Sequence, residues 1–337
     1  MARSHITEHF FDFLKTSGAG RGGYILLGPG KSADWPRDSG YTVVAPRNRI
    51  TWILAHIYLA TRAQRIFVHG LSKSILFSTA LTPWVLSKCY WLIWGGDLYA
   101  YRHRRASRNN RAVEPVRRFV IKRIGHLVTY VPGDVARARQ WYGARGQWHE
   151  CLLYPGNTVQ LPAESQEAPH SIIRVLVGNS ADPENNHLET FAELSRIGGD
   201  FTVHVPLAYG DAANRERVMR VGQELFGDRF MPILGMMPFG EYLAFLQSID
   251  IAIFNHKRQQ AMGNTISLLG MGKRVFIRSQ TPQWDLFKEF GVTVSALDNG
   301  IDLNLMSENL AEANKSTIAT RFSLRVLSEQ WKRLLDD

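Results

Sequence analysis

Short apolar runs that end in small or polar residues alternate with stretches of helical spacing along nearly the whole chain. This alternation restricts the chain to parallel sheet covered by helices on both faces. After an aromatic helical stretch at residues 5–15, apolar runs at 24–27, 41–45, 65–68, 90–94 and 126–130 predict strands. Residues 50–61 and 74–86 have the length and spacing of helices, and a basic helical stretch covers 101–124. The pattern then lapses at Pro162, Ala163, Glu164, Ser165 and Pro169, a polar linker of the kind that separates domains. It restarts with strands at 172–177, 201–205, 251–254 and 274–277, and with helices at 186–196, 214–226, 242–247, 264–271 and 323–335.

Two successive Rossmann-like halves with a linker describe the α/β plan called GT-B, two Rossmann-like domains with a deep cleft between them. A length of 337 residues suits two domains at ~100–200 residues each. The expected bounds are 1–163 and 170–315, with 316–337 as a closing helix.

Charge is distributed unequally between the halves. Residues 1–160 carry 23 Lys/Arg against 8 Asp/Glu, whereas the remainder carries 17 against 22, within a chain of net charge +10. A basic half suggests an anionic membrane surface, a phosphorylated substrate or nucleic acid. No zinc-finger, helix-turn-helix or RNA-binding signature accompanies it, so nucleic acid is not expected as a partner. The two cysteines, Cys89 and Cys151, form no metal-ligand spacing and read as buried thiols of a reducing compartment. Residues 1–15 mix charge with aromatics, unlike a secretory signal. The charge-free run from Ser74 to Ser87 has 14 residues and contains Pro83, short of the ~20 that a membrane span needs.

In open parallel sheets, ligands gather beyond the carboxyl ends of the strands. Gly30-Lys31-Ser32 resembles the tail of a phosphate-binding P-loop, but Ile25 stands where that loop needs glycine, so a tight turn is the better reading. Asp97, after Gly95-Gly96, can act as a general base on an acceptor hydroxyl or can cap the next helix; spacing leaves both open. His69, beside Gly70 at a strand end, can bind phosphate, orient an acceptor or be structural. Gly178, Asn179 and Ser180, with Asn185, Asn186 and His187 leading into the next helix, suit an anion, since small residues expose backbone N–H groups there, or serve as ordinary helix caps. Tyr209 follows another strand end. Arg258, Gln259, Gln260, Gly263, Asn264 and Thr265 link a strand to a helix; they offer charge for a diphosphate, amides for sugar hydroxyls and donors at a helix start. Arg102, Arg104, Arg105, Arg117 and Arg118 lie in a basic stretch with an apolar stripe, the pattern of a helix that rests on anionic lipid.

At these residues the sequence resembles glycosyltransferase family 56, bacterial enzymes that transfer N-acetylfucosamine (4-acetamido-4,6-dideoxygalactose) from a dTDP donor to a lipid intermediate of enterobacterial common antigen. The resemblance is carried by Phe67-Val68-His69-Gly70, Ile93-Trp94-Gly95-Gly96-Asp97-Leu98-Tyr99 and Leu176-Val177-Gly178-Asn179-Ser180 with Asn186-His187. It continues through Val205-Pro206 with Tyr209, Tyr242-Leu243 with Leu246, and Arg258-Gln259-Gln260 with Gly263, Thr265 and Trp284. Leu71-Ser72-Lys73-Ser74 and Asn255-His256-Lys257 depart from the family pattern, which leaves open a related dideoxy-aminosugar and an O-antigen or other polysaccharide acceptor.

The resemblance implies a dTDP-sugar donor held in the C-terminal domain and an undecaprenyl-diphosphate-linked saccharide as acceptor at the N-terminal domain. It also implies a peripheral enzyme on the cytoplasmic face of the bacterial inner membrane. Gly178, Asn179, Ser180, His187, Tyr209, Arg258, Gln259, Gln260, Gly263, Asn264 and Thr265 are then donor-binding, Asp97 and His69 catalytic, and the five arginines acceptor- or membrane-facing. No paired carboxylates of metal-binding type lie in the expected loops, so neither metal nor other cofactor is expected. Competing readings are a UDP- or GDP-sugar enzyme of the same plan, an epimerase, and a non-catalytic basic binding protein.

Overall fold

A computed structural model describes residues 5–17, 23–26, 42–162 and 171–336. The turn at Gly28–Ser32 and the linker at 163–170 lie outside the described residues. The chain divides into two compact units, Met1–Pro155 with Leu324–Asp337, and Gly156–Ser323.

In unit 1, helix α1 (His5–Ser17) precedes strands β1 (Tyr24–Leu26) and β2 (Thr42–Val44), which pair in parallel. Helix α2 (Arg49–Arg62) starts at a capping box in which the Asn48 side chain accepts from Thr51 N and the Thr51 hydroxyl accepts from Asn48 N. Strand β3 (Ile66–His69) leads to helix α3 (Lys73–Ala80), then β4 (Cys89–Leu92), α4 (Gly96–Tyr99), α5 (Arg108–Arg123), β5 (His126–Val128), α6 (Pro132–Tyr142) and β6 (Gln147–His149). Strands β3, β4, β5 and β6 form a parallel sheet in chain order. Its core centres on Trp91, Leu127, Val120 and Tyr142.

Two expected helices are shorter than their patterns. The one at 74–86 stops at Ala80, and a 3₁₀ turn, Pro83–Lys88, follows. Pro83 cannot donate the N–H that a continued α-helix requires. The basic stretch at 101–124 is a 3₁₀ turn and then α5, because the Ser107 side chain accepts from Asn110 N and starts the helix there.

Unit 2 holds β7 (Ile173–Val177), α7 (His187–Leu194), β8 (Phe201–Pro206), α8 (Ala212–Phe226), β9 (Phe230–Ile233), α9 (Phe239–Gln247), β10 (Ile251–Phe254), α10 (Met262–Gly270), β11 (Arg274–Ile277), α11 (Pro282–Glu289), β12 (Ser295–Ala296) and α12 (Glu308–Arg321). The sheet order is β12-β11-β10-β7-β8-β9, all parallel. This is the doubly wound order, and its direction reverses between β7 and β10. The central strands are apolar throughout, as a sheet covered on both faces demands: every side chain of β10 is buried.

The final helix, α13 (Leu324–Asp336), belongs to unit 1. Its buried Trp331 packs on Phe10 and Phe67 at ring-centroid distances of 4.9 and 5.3 Å and donates from Nε1 to Leu153 O at 3.0 Å. Gln330 Oε1 accepts from Leu152 N at 2.9 Å. The bounds read from the sequence therefore shift. Residues from Gly156 onward already belong to unit 2, where Thr158 is buried and Val159 N donates to Phe322 O at 2.7 Å. The closing segment 316–337 is divided between the end of α12 and α13.

Candidate donor and acceptor sites

The reversal between β7 and β10 places two loops side by side, and both carry residues singled out in the sequence. After β7, Gly178 adopts φ +69°, a conformation open to glycine. A Cβ there would lie 2.7 Å from both Asn185 Oδ1 and His187 Nε2, so glycine also lets these two side chains close over the turn. Asn185 Oδ1 accepts from Asn179 N at 2.8 Å, and Asn185 Nδ2 donates to Ser180 Oγ at 3.2 Å. Asn179 Nδ2 donates to the Tyr209 hydroxyl at 3.1 Å.

After β10, His256 Nε2 lies 2.9 Å from the same Asn185 Oδ1; since that oxygen only accepts, the ring nitrogen carries the proton. Asn186 Nδ2 donates to Asn255 O at 2.7 Å and ties the two loops together. The Arg258 guanidinium pairs with Glu184 at 2.5 Å. Gly178, Asn179, Ser180, His187, Tyr209 and Arg258 are thus brought into one connected cluster.

Several buried polar atoms in this cluster have no partner among the described residues. They are Asn179 Oδ1, both ring nitrogens of His187, Asn255 Oδ1, His256 Nδ1 and Gln260 Oε1. Each such group costs about 1–3 kcal/mol when left unpaired, and these gather at the switch point of the sheet, where ligands of open parallel sheets bind. Burial holds both histidines neutral: the pKa of His187 falls to about 4 and that of His256 to about 3. The positive charge of Arg258 adds to the effect of burial on His256.

Three residues expected to meet the donor are engaged elsewhere. The Thr265 hydroxyl is buried, donates to Ala261 O at 3.0 Å and accepts from Gln283 Nε2 at 3.0 Å, which makes it a brace inside α10. Gly263 is a packing glycine, since a Cβ would lie 2.3 Å from Gly156 O. Asn264 donates to the Tyr242 hydroxyl at 2.8 Å. Glu184, Asn185 and His256 complete the cluster; Asn185 and His256 stand within the two motifs read from the sequence, and Glu184 is the residue that reading missed. Their places after β7 and β10 signal loops, but nothing in their spacing signals that they converge.

In unit 1, the Asp97 carboxylate is buried and engaged in hydrogen bonds through both oxygens. Its Oδ2 accepts from Leu71 N at 2.9 Å and Trp91 Nε1 at 2.6 Å, and its Oδ1 from Trp94 N at 3.1 Å and Leu98 N at 2.9 Å. Burial raises its pKa and these four donors oppose the rise. A carboxylate so enclosed fixes the turn from β4 into α4 and the start of the loop after β3. The Nδ1 of His69 lies 2.7 Å from the Tyr154 hydroxyl, which also accepts from Trp94 Nε1 at 2.7 Å, and burial lowers the ring's pKa to about 3. His69 also borders an apolar cavity of about 490 Å³, lined by Phe10, Leu14, Trp52, Leu59 and Trp331 among others.

The five arginines differ in exposure: Arg102, Arg105 and Arg118 are exposed and Arg104 is half-buried. Arg117 is buried. Arg102 and Arg104 stack on Tyr99 and Tyr101 at 4.9 and 3.7 Å, and Arg118 pairs with Glu114 at 3.5 Å. Both cysteines are buried and free, their thiols pushed up to about 12 by burial. Among the described residues, no helix is long and apolar enough to cross a membrane, and no three metal-ligating side chains converge.

The family described as 4-alpha-L-fucosyltransferase glycosyl transferase group 56 matches residues 42–337. Among solved structures, a sucrose-phosphate synthase from Thermosynechococcus elongatus superposes with a TM-score of 0.71 at 14% identity, over 96% of this chain and 90% of that one. A glycosyltransferase from Rickettsia africae gives a TM-score of 0.64 at 16% identity, over 98% and 94%. The Anabaena protein HepE, solved with UDP-glucose, gives 0.64 at 11% identity, over 94% and 100%. At these identities the likeness establishes the fold, which is GT-B.

Proposed function

The chain belongs to glycosyltransferase group 56, and from that premise we propose that unit 2 holds a dTDP-linked dideoxy-acetamido sugar, N-acetylfucosamine or a close relative, for transfer to an undecaprenyl-diphosphate-linked saccharide. The observation that carries the reading is the set of unpartnered polar atoms between the ends of β7 and β10. A nucleotide sugar supplies donors and acceptors to satisfy them. The HepE complex with UDP-glucose supports a nucleotide sugar as the donor class.

In the reaction, an acceptor hydroxyl attacks the anomeric carbon, the bond from that carbon to the diphosphate oxygen breaks with its electron pair left on the diphosphate, and the hydroxyl proton passes to water. The polar side chains gathered at the Gly178–Ser180 turn, the N–H groups at the start of α10 and Arg258 stabilise the departing nucleotide diphosphate. Arg258 reaches it by exchanging Glu184 for phosphate oxygens. No metal is assigned to this step. His69, neutral and hydrogen-bonded to Tyr154, is the residue we assign to the acceptor hydroxyl, and Asp97 holds the adjoining turn. The basic charge of the first 160 residues and the apolar cavity beside His69 support a lipid-linked acceptor and a peripheral place at the cytoplasmic face of the bacterial inner membrane.

The test is the thermal midpoint with dTDP, UDP, GDP and ADP at saturation. Binding at a hundredfold excess over Kd stabilises the folded state by ~2.7 kcal/mol. A shift specific to dTDP is expected. A shift with UDP or GDP alone replaces the thymidine donor, and no shift with any of the four removes the donor site from the β7–β10 loops. Transfer is expected to survive EDTA; loss restored by Mg²⁺ overturns the metal-free step.

A further inference from the structure

We propose that α2, together with the corner formed by α3 and the Pro83–Lys88 turn, docks on an anionic lipid bilayer, with Ile50, Leu54 and Tyr58 entering the headgroup layer. The proposal deepens the peripheral-membrane part of the reading above and rests on it, but it assigns the contact to a different surface from the basic stretch around α5.

Helix α2 is apolar on opposite sides. One side, with Trp52, His56, Leu59 and Ala60, lines the cavity beside His69. The other bears Ile50, Leu54 and Tyr58, four residues apart and therefore in one row, at 72%, 62% and 55% exposure. A soluble helix normally turns a polar face outward, and a helix apolar all round is one whose second side is covered by protein or lipid. Among the described residues only the Arg62 guanidinium, 4.6 Å over the Tyr58 ring, lies against this side, and all three residues of the row stay more than half exposed.

The row continues beyond the helix. Trp84 donates from Nε1 to Thr61 Oγ1 at 3.3 Å, and Lys88 Nζ donates to Thr61 O at 3.0 Å, so the Pro83–Lys88 turn abuts the end of α2. Trp84 and Leu81 are each 59% exposed. Tryptophan and tyrosine with aliphatic neighbours are the side chains that settle at a bilayer interface.

Charge selects the kind of surface. Residues 42–96 contain no Asp or Glu and six cations, Arg47, Arg49, Arg62, Arg65, Lys73 and Lys88. Arg49 and Arg62 bracket the row at the two ends of α2. An apolar row edged by cations and free of acids is the pattern of an interfacial helix on anionic lipid. A second copy of the same surface would set cation against cation. Near α5, Arg104 stacks on Tyr101, Arg118 pairs with Glu114 and Arg117 is buried, and no comparable row of exposed apolar side chains accompanies them.

The experiment is cosedimentation of the full chain with vesicles of equal parts phosphatidylglycerol and phosphatidylethanolamine, and with phosphatidylcholine alone. The wild type is expected on the anionic vesicles and only weakly on phosphatidylcholine. The double variant Ile50→Glu with Leu54→Glu is expected to lose about a hundredfold in partitioning, because each aliphatic side chain withdrawn is equivalent to about tenfold or more. Trp84→Glu, a second exposed site, is expected to lose about tenfold. The double variant Arg105→Ala with Arg118→Ala is expected to change it by less than about threefold.

Circular dichroism and the nucleotide-induced thermal shift are read on the same samples. Lost vesicle binding with both of these unchanged supports the docking surface. Wild-type binding by both glutamate variants, absence of wild-type binding, or a dimer that the glutamate variants dissociate overturns it. Loss of the nucleotide shift in the wild type bears on the donor reading alone, so the two failures are separable.

Discussion

The two units share one kind of layering and differ in what they leave unsatisfied. Unit 2 closes its apolar core over a six-stranded sheet and leaves hydrogen-bonding capacity open at the β7–β10 switch point. Unit 1 has an apolar cavity beside His69 and an exposed apolar row along α2. The lesson is that unmet physical demand is informative by type. Polar atoms without partners point to a polar ligand, and uncovered aromatic and aliphatic groups point to an apolar one.

Three measurements can break or sharpen that contrast. The largest effect is expected from Trp331→Ala in unit 1. It removes a buried indole packed on Phe10 and Phe67 and hydrogen-bonded to Leu153, and should cost about 3–5 kcal/mol in chemical denaturation. The nucleotide-induced shift should persist, because unit 2 does not contain this residue. Loss of both together would mean that the two units do not behave separately.

Next is Gly178→Ala in unit 2. It forces a side chain into φ +69° and against Asn185 and His187, and about 1–3 kcal/mol of strain is expected. Transfer should fall by about tenfold to a hundredfold, with vesicle binding unchanged. Normal turnover in this variant would detach the Gly178 turn from the donor.

The third effect is on acid stability. His187 has a folded pKa of about 4 against an ordinary value of 6.5, so the unfolded chain binds the proton first. Stability that is full above about pH 6.5 should therefore decline as pH falls towards 4. His187→Gln should flatten that decline in a series of thermal midpoints, and an unchanged slope would place the titration elsewhere.

Much of the sheet was legible because its strands are short apolar runs bounded by glycine, proline or polar turns, as at 251–254 and 274–277, where pattern and structure coincide. The misses have identifiable causes. Strand β9 contains Pro232, which lowers its strand signal; β9 lies at a sheet edge, where proline is tolerated. Helix α12 buries only Asn314 and Ile318 and so shows almost no periodicity. Helix α6 opens on Pro132, which reads as a turn although it sits comfortably in a first helical turn.

The site was legible in part. Gly178, Asn179, Ser180, His187 and Arg258 announced themselves by type and position. The Glu184–Arg258 pair joins residues far apart in sequence, and no spacing rule predicts it. Asp97 shows the limit most clearly. A base and a strut have the same spacing, and only the four N–H groups around the carboxylate distinguish them.

The return of α13 to unit 1 also sets a timetable. Unit 2 is one continuous stretch of chain, so it can fold as soon as it is synthesised. Unit 1 begins earlier but lacks Trp331 and Gln330 until α13 has been made, after all of unit 2. During synthesis, then, the half made first is the half finished last, and the aromatic surface around Phe10 and Phe67 stays uncovered for the whole interval.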